Sequence, residues 1–173
     1  MTRPVNLEKV QQEYRGLVED YFQLLQKRFG ERLRSVCVFG SVATGRAGPE
    51  SDIDILVVVE GLPDDVLERA EETVELLLEL KQKPSHHRLT GSGRSAAVSP
   101  IFLTPSEAEK HPPIMLDIAD EGVIIFDKEE FLSNVLKSIR KRLEELGARK
   151  VVTSKGHYWV LKPDLKPGEV VEI

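Results

Sequence analysis

Cysteine is almost missing from this sequence. Cys37 stands alone, so no internal disulfide can staple the chain, and nothing in its thiol content implies an oxidising compartment. Aromatic residues are scarce at 6%, with a single Trp. The C-terminal pair Tyr158-Trp159 is too little for a base-stacking platform. Long apolar runs are also lacking. The longest aliphatic stretch, Ile55-Leu56-Val57-Val58-Val59, falls far short of the roughly 18 residues a membrane span needs. The opening Met1-Thr2-Arg3-Pro4-Val5-Asn6 has no signal-peptide core. No repeat or low-complexity tract is visible. A soluble, cytoplasmic protein without a membrane partner is expected.

What is present suffices for a core. The 173 residues are 40% hydrophobic and 31% charged, in keeping with one folded domain and a small appendage. The net charge of −5 is unevenly spread, at +2 over residues 1–34, −9 over 35–128 and +2 over 129–173. An acidic middle argues against a broad basic face that coats nucleic acid. It leaves room for a local carboxylate cluster that holds a divalent cation.

Apolar periodicity predicts a helix from an Asn6 cap to Gly30, then a strand over Ser35–Phe39 that Gly40-Ser41 cuts off. A second strand, Ile53–Val59, reads as buried on both faces. Pro63-Asp64-Asp65 opens a helix whose buried stripe is Val66, Leu67, Ala70, Val74, Leu77 and Leu78. Breakers over Lys83–Ser95 predict a loop. Ala96–Leu103 is a third strand, and Pro100 within it points to an edge. Thr104-Pro105-Ser106-Glu107 is a capping box, and further helical turns follow His111-Pro112-Pro113. Val123–Phe126 is a short strand. Asp127 with Glu130 then caps a long helix that ends at Gly147. A hairpin over Lys150–Leu161 follows, and a turn through Pro167-Gly168 leads to a last short strand. The fold class is α+β, a mixed sheet backed by helices with a C-terminal β-hairpin appendage.

The chemistry concentrates between Phe39 and Val57. A strand ends at Gly40-Ser41, where a residue without a side chain lets backbone N–H groups approach an anion and a hydroxyl can bind it. Ten residues after Ser41 come Asp52-Ile53-Asp54 at the head of an apolar strand. Alternation along a strand aims both carboxylates at one spot and Ile53 and Ile55 at the other face. Two adjacent carboxylates repel unless a cation sits between them. Mg²⁺ commonly combines one or two protein carboxylates with substrate phosphates. A P-loop is excluded, because Arg46-Ala47 stand where Lys and Ser/Thr would have to be.

Gly40-Ser41, the ten residues Val42–Ser51, and Asp52-Ile53-Asp54 resemble the signature of the polymerase β-like nucleotidyltransferase superfamily, specifically its minimal (MNT-type) members. The resemblance is strongest over residues 35–60 and extends through the strand–helix–strand layout to about 128. It implies a nucleotidyltransferase-like domain over 1–128 and an appendage over 129–173. It implies transfer of a nucleoside monophosphate from an NTP, ATP in the first instance, to a hydroxyl of a small molecule, RNA or protein. Asp52 and Asp54 would then be catalytic and hold Mg²⁺ (or Mn²⁺), with Gly40, Ser41 and Arg46 on the nucleotide. It also implies a second reading, a nucleotide-binding, antitoxin-like partner of a small helical HEPN-type protein with weak or no turnover.

The superfamily's third carboxylate has no counterpart. No Asp or Glu lies between Glu79 and Glu107, and Ser99 stands about where that acid is expected. Glu107 is a conceivable substitute, although its capping box accounts for it. Arg46 suits either a triphosphate or a solvated loop. His86-His87 has no acid or cysteine beside it, and Cys37 alternates as a core thiol would. Lys155, Lys162 and Lys166 are either a basic lip or guards of a sheet edge.

Overall fold

The computed structural model describes residues 2–154, 156–166, 168–171 and 173; Lys155 and the side chain of Val66 lie outside what is described. In chain order the elements are α1 (Arg15–Phe29), β1 (Leu33–Phe39), α2 (Gly40–Ala43), β2 (Ile53–Val59), α3 (Val66–Leu80), α4 (Pro84–Gly91) and β3 (Val98–Leu103). Then follow α5 (Pro105–Ala108), α6 (Ile114–Glu121), β4 (Val123–Asp127), α7 (Phe131–Leu146), β5 (Arg149–Thr153) and β6 (Gly156–Val160). Four strands form a sheet in the order β3-β2-β1-β4, and β5-β6 form a separate hairpin. β1 runs antiparallel to β2 and β4, whereas β2 and β3 are parallel. The expected mixed α+β architecture is present.

Strand alternation divides the core into two layers. Val36, Val38, Ile53, Ile55, Val57 and Val59 pack on the side of α1, α3 and α4. Cys37, Phe39, Leu56 and Val58 pack on the side of α5, α6 and α7. Because both faces are covered, β2 is apolar at every position after Asp54. Pro100 does lie on an edge strand, where its missing N–H removes no ladder bond. The other edge is shielded at β4, where the Val5 N–H and Asn6 Nδ2 donate to the carbonyls of Ile125 (2.8 Å) and Ile124 (3.0 Å).

That use of Asn6 corrects the first helix. Asn6 adopts φ 53° and caps nothing; two 3-10 turns follow it, and α1 begins only at Arg15. The Lys83–Ser95 loop is also corrected, since α4 occupies most of it. Pro84 supplies the first turn, and Ser85 and Leu89 bury one face against α1. Gly16 lies at this contact, where a Cβ would stand at ordinary packing distance, 3.6 Å, from Ser85 Cβ.

The stripe of α3 faces the wrong way for its sequence pattern. Leu76 and Leu80 are buried, whereas Leu67, Val74 and Leu78 are 75%, 49% and 56% exposed. Arg69 sets this rotation. It turns inward to bond the carbonyls of Pro63 and Phe102 and to fork onto Glu107 at 3.1 Å through both Nη atoms.

Asp127 does cap α7, but by reaching across an intervening turn rather than through a box with Glu130. Its carboxylate accepts from the N–H groups of Leu132 and Ser133 and from the hydroxyls of Ser133 and buried Ser35. Gly147 ends α7 at φ 65°, as expected. Beyond β6 no further strand forms among the described residues.

Candidate active site

β1 delivers the chain to the site. Phe39 pairs with Asp54 in the antiparallel register, and Gly40 then turns at φ +71° into α2. A Cβ on Gly40 would stand 2.5 Å from Asp54 Oδ2. The turn favours glycine for its left-handed backbone, and any Cβ there would also push the Asp54 carboxylate aside. Ser41, the next residue, has no hydrogen bond from its hydroxyl among the described residues.

Asp52 and Asp54 lie on the α6–α7 side of β2, in line with Leu56 and Val58 but beyond the cover of the helices. Asp52 is exposed and Asp54 half-buried. Burial, and then the charge of Asp52, push the Asp54 carboxyl above the usual carboxylate range. Neither acid has an ion-pair partner among the described residues; Asp52 accepts one bond, from Ser95 Oγ at 3.3 Å. On β3, Ser99 is level with Asp54 and lies on the same face, in line with Ile101 and Leu103. The β3 position level with Asp54 thus bears a hydroxyl.

The loop between the two motif halves is tied down by hydrogen bonds from distant segments. Gln11 donates to the Ala47 carbonyl (3.3 Å) and accepts from its N–H (3.0 Å), acting as one rung of a strand pair. Its own N–H bonds the Val42 carbonyl at 3.1 Å. Tyr14, fully buried, donates to the Gly48 carbonyl at 3.0 Å, and the Ser95 N–H reaches the Pro49 carbonyl at 2.6 Å. Gln11, Tyr14 and Ser95 were not legible as site residues. Each acts through a contact distant in sequence that periodicity does not reveal.

The other candidates separate from this centre. Arg46 borders the loop, where its Nε bonds Thr44 Oγ1 and its guanidinium pairs with Glu121 at 2.7 Å. Glu107 is committed elsewhere. Its Arg69 fork and the capping box hold its carboxyl below the ordinary value, so it offers no third ligand. His86 and His87 meet edge-on in α4, and Cys37 is buried. Lys162 pairs with Glu169 at 2.6 Å. The hairpin is tied to α6 instead through Lys150, which contacts Asp120 and Glu121, and through Asp117, which accepts from Trp159 Nε1 at 3.0 Å and meets His157 Nε2 at 2.8 Å.

The donor set suits Mg²⁺. No Lys, Arg or His pairs with either carboxylate among the described residues, the glycine leaves room at Asp54 Oδ2, and no third acid, His or Cys among them completes a protein-only cage. A cation there would draw its remaining oxygens from phosphate and water.

The glycine turn is thus packed on an acid pair, and the sequence comparisons give the family of the domain that carries it. The family model described as "Nucleotidyltransferase domain" matches residues 18–151, and the chain belongs to that family. A curated relative, "Putative protein adenylyltransferase MJ1305" of Methanocaldococcus jannaschii, is 26% identical over 133 residues, which covers 76% of this chain and 84% of the relative. Among solved structures, a toxin–antitoxin crystal structure with AMP-PNP aligns at TM-score 0.47 and 17% identity, covering 74% of this chain and 90% of that one. A chain of the structure described as tri-AMPylated Shewanella oneidensis HEPN toxin in complex with MNT antitoxin aligns at 0.44 and 15%, covering 76% of this chain and 92% of that one. No helix among the described residues is long and apolar enough to cross a membrane.

Proposed function

We propose that this chain transfers a nucleoside monophosphate, AMP in the first instance, from a triphosphate to a hydroxyl acceptor. The observation that carries the reading is the packing of Gly40 on Asp54, with Asp52 one strand step away on the same face. Gly40 and Ser41 present backbone and hydroxyl donors to the phosphates, and the Gln11 and Tyr14 bonds keep the following loop in place before substrate arrives. Asp52 and Asp54 would hold Mg²⁺ or Mn²⁺, which supplies charge neutralisation on the triphosphate. With Ser99 level with Asp54, no third carboxylate among the described residues stands there to take the acceptor's proton.

The missing acid favours a second reading, a nucleotide-binding partner of a small helical HEPN-type protein with slow turnover. A protein acceptor fits both readings, and the MNT antitoxin found with a tri-AMPylated toxin is a precedent in a distant fold relative. Incubation with α-labelled ATP, Mg²⁺ and candidate acceptors separates the two. Label on a protein or RNA that disappears with Asp52→Asn supports transfer. Mg·ATP binding without label supports the binding module.

A further inference from the structure

The sequence of α3 encodes two apolar stripes, and the fold uses one. Leu76 and Leu80 enter the core. Leu67, Ala70, Val74 and Leu78 recur at three- and four-residue steps and are all exposed, along a helix face about 17 Å long. One flank of this stripe falls into a groove of about 400 Å³. Leu77, His86, Ala97 and Val98 help to line it, and Nδ1 of His86 is buried without a partner among the described residues.

The opposite flank is acidic. Glu72, Glu75 and Glu79 are met by Arg32, Arg28 and Lys27 of the neighbouring N-terminal region. Glu68 and Glu71 form no ion pair among the described residues. Antiparallel two-fold packing of helices sets like flanks together, so a second copy would press this acidic flank against itself. An added strand is also disfavoured. Pro100 offers no donor on β3, and the Phe102 carbonyl is already bonded by Arg69.

We propose that the exposed face of α3 and the groove beside it dock an amphipathic helix of another protein, apolar along one stripe and bearing Lys or Arg along the flank that meets Glu68 and Glu71. The inference rests on the reading of a helical partner and adds where and by what chemistry it is held. Leu67, Val74 and Leu78 supply the buried area, and the unpaired glutamates set orientation and choice of partner.

The full-length chain can be titrated with a fluorescein-labelled 18-residue synthetic helix that carries leucines at three- and four-residue spacing and lysines on one flank. A twin peptide with glutamates on that flank is the control. The lysine peptide should bind at least ~10-fold more tightly than its twin. Leu78→Glu should weaken it by at least ~10-fold, while circular dichroism stays unchanged because Leu78 is exposed. The double change Glu68→Gln/Glu71→Gln should erase the preference between peptides. Equal binding of the twins, indifference to Leu78→Glu, or a parent dimer that Leu78→Glu dissolves in sedimentation would overturn the proposal. Mg·ATP binding by the same samples reports the catalytic reading separately. Its loss with peptide binding intact would fault that reading and leave the docking face standing.

Discussion

Ser99 and Asp54 are level in the parallel pairing of β3 with β2, and both lie on the face that Asp52 shares. A backbone position fitted to a third acid therefore bears a hydroxyl that cannot take a proton at neutral pH. Ser99→Asp should raise Mg²⁺-dependent nucleotidyl transfer by about tenfold or more, the lower range of what a placed general base contributes. It should also lower the melting temperature without metal, since three carboxylates would then crowd one spot. An unchanged transfer rate in a folded, Mg·ATP-binding variant would show that proton removal is not what limits the site.

Gly40 and Gly45 form a matched pair for testing the phosphate turn. Both have positive φ, at +71° and +72°, but only Gly40 faces a carboxylate oxygen at 2.5 Å, whereas nothing lies within 4 Å of the Cβ position of Gly45. Alanine at either position should lower stability by about 1–2 kcal/mol through left-handed strain. Only Gly40→Ala should also displace Asp54 and weaken Mg·ATP by more than ~10-fold. Equal losses of affinity, read by calorimetry, would place the effect in the backbone rather than in the contact with Asp54.

Asp54 has a pH signature of its own. Burial and Asp52 raise its carboxyl above the unfolded value, so between those two values the native state binds the extra proton and stability falls as pH rises. Above the raised value the charged pair opposes folding until a cation arrives. Asp54→Asn should therefore melt a few degrees higher than the parent at pH 7 without metal. That advantage should shrink as pH drops through the carboxylate range. Mg·ATP should raise the melting temperature of the parent and leave the variant unmoved. The comparison needs only thermal melts across pH, with and without Mg·ATP.

The elements most legible in the sequence were those fixed by local chemistry. The Thr104–Glu107 box and the Gly30 and Gly147 stops depend on neighbours a few residues away, and Gly40-Ser41, the Asp52/Asp54 pair and Pro100 were marked by their own backbone and side-chain chemistry. The errors arose where distant contacts decide. Asn6 serves the edge of β4 rather than a helix. Arg69 turns α3 so that the stripe at Leu67, Val74 and Leu78 faces outward. Ser85 and Leu89 find α1 and fold a breaker-rich segment into α4. Gln11 and Tyr14 steady the loop after Ala43 from a segment whose periodicity announces only a core helix.

Glu107 offers a negative control for the proposed site at Asp52 and Asp54. Hydrogen bonds from Arg69 depress its carboxyl, as does its part in the capping box. Its contribution is thus present above the ordinary glutamate value and lost as pH falls through the depressed one. Glu107→Gln should cost about 0.5–2 kcal/mol at pH 7, in the range of a lost cap, and this difference should vanish in acid. Urea unfolding at pH 7 and in acid measures both. Mg·ATP affinity and nucleotidyl transfer should stay at parent levels. A selective loss of transfer with stability intact would return Glu107 to the candidate third acids.

Arg46 is held by Glu121 at 2.7 Å, and Glu121 also meets Lys150 of β5 at 3.3 Å, so the loop before Asp52, α6 and the hairpin share one chain of charges. The Arg46 side chain is 65% exposed, and an ion pair so open to water adds little to stability. A triphosphate offers the guanidinium a stronger, bidentate acceptor. Arg46 should therefore leave Glu121 when nucleotide binds. Arg46→Ala should weaken Mg·ATP about three- to tenfold, a loss of about 0.7–1.4 kcal/mol. Glu121→Gln, which frees Arg46 in advance, should tighten it, and Arg46→Ala should cancel that gain in the double variant. If Glu121→Gln instead weakens nucleotide while Arg46→Ala has no effect, the pair braces the loop and the arginine does not reach phosphate. Titration of the four proteins with Mg·ATP at two ionic strengths decides between these outcomes, because only a direct phosphate contact loses its share of affinity in salt.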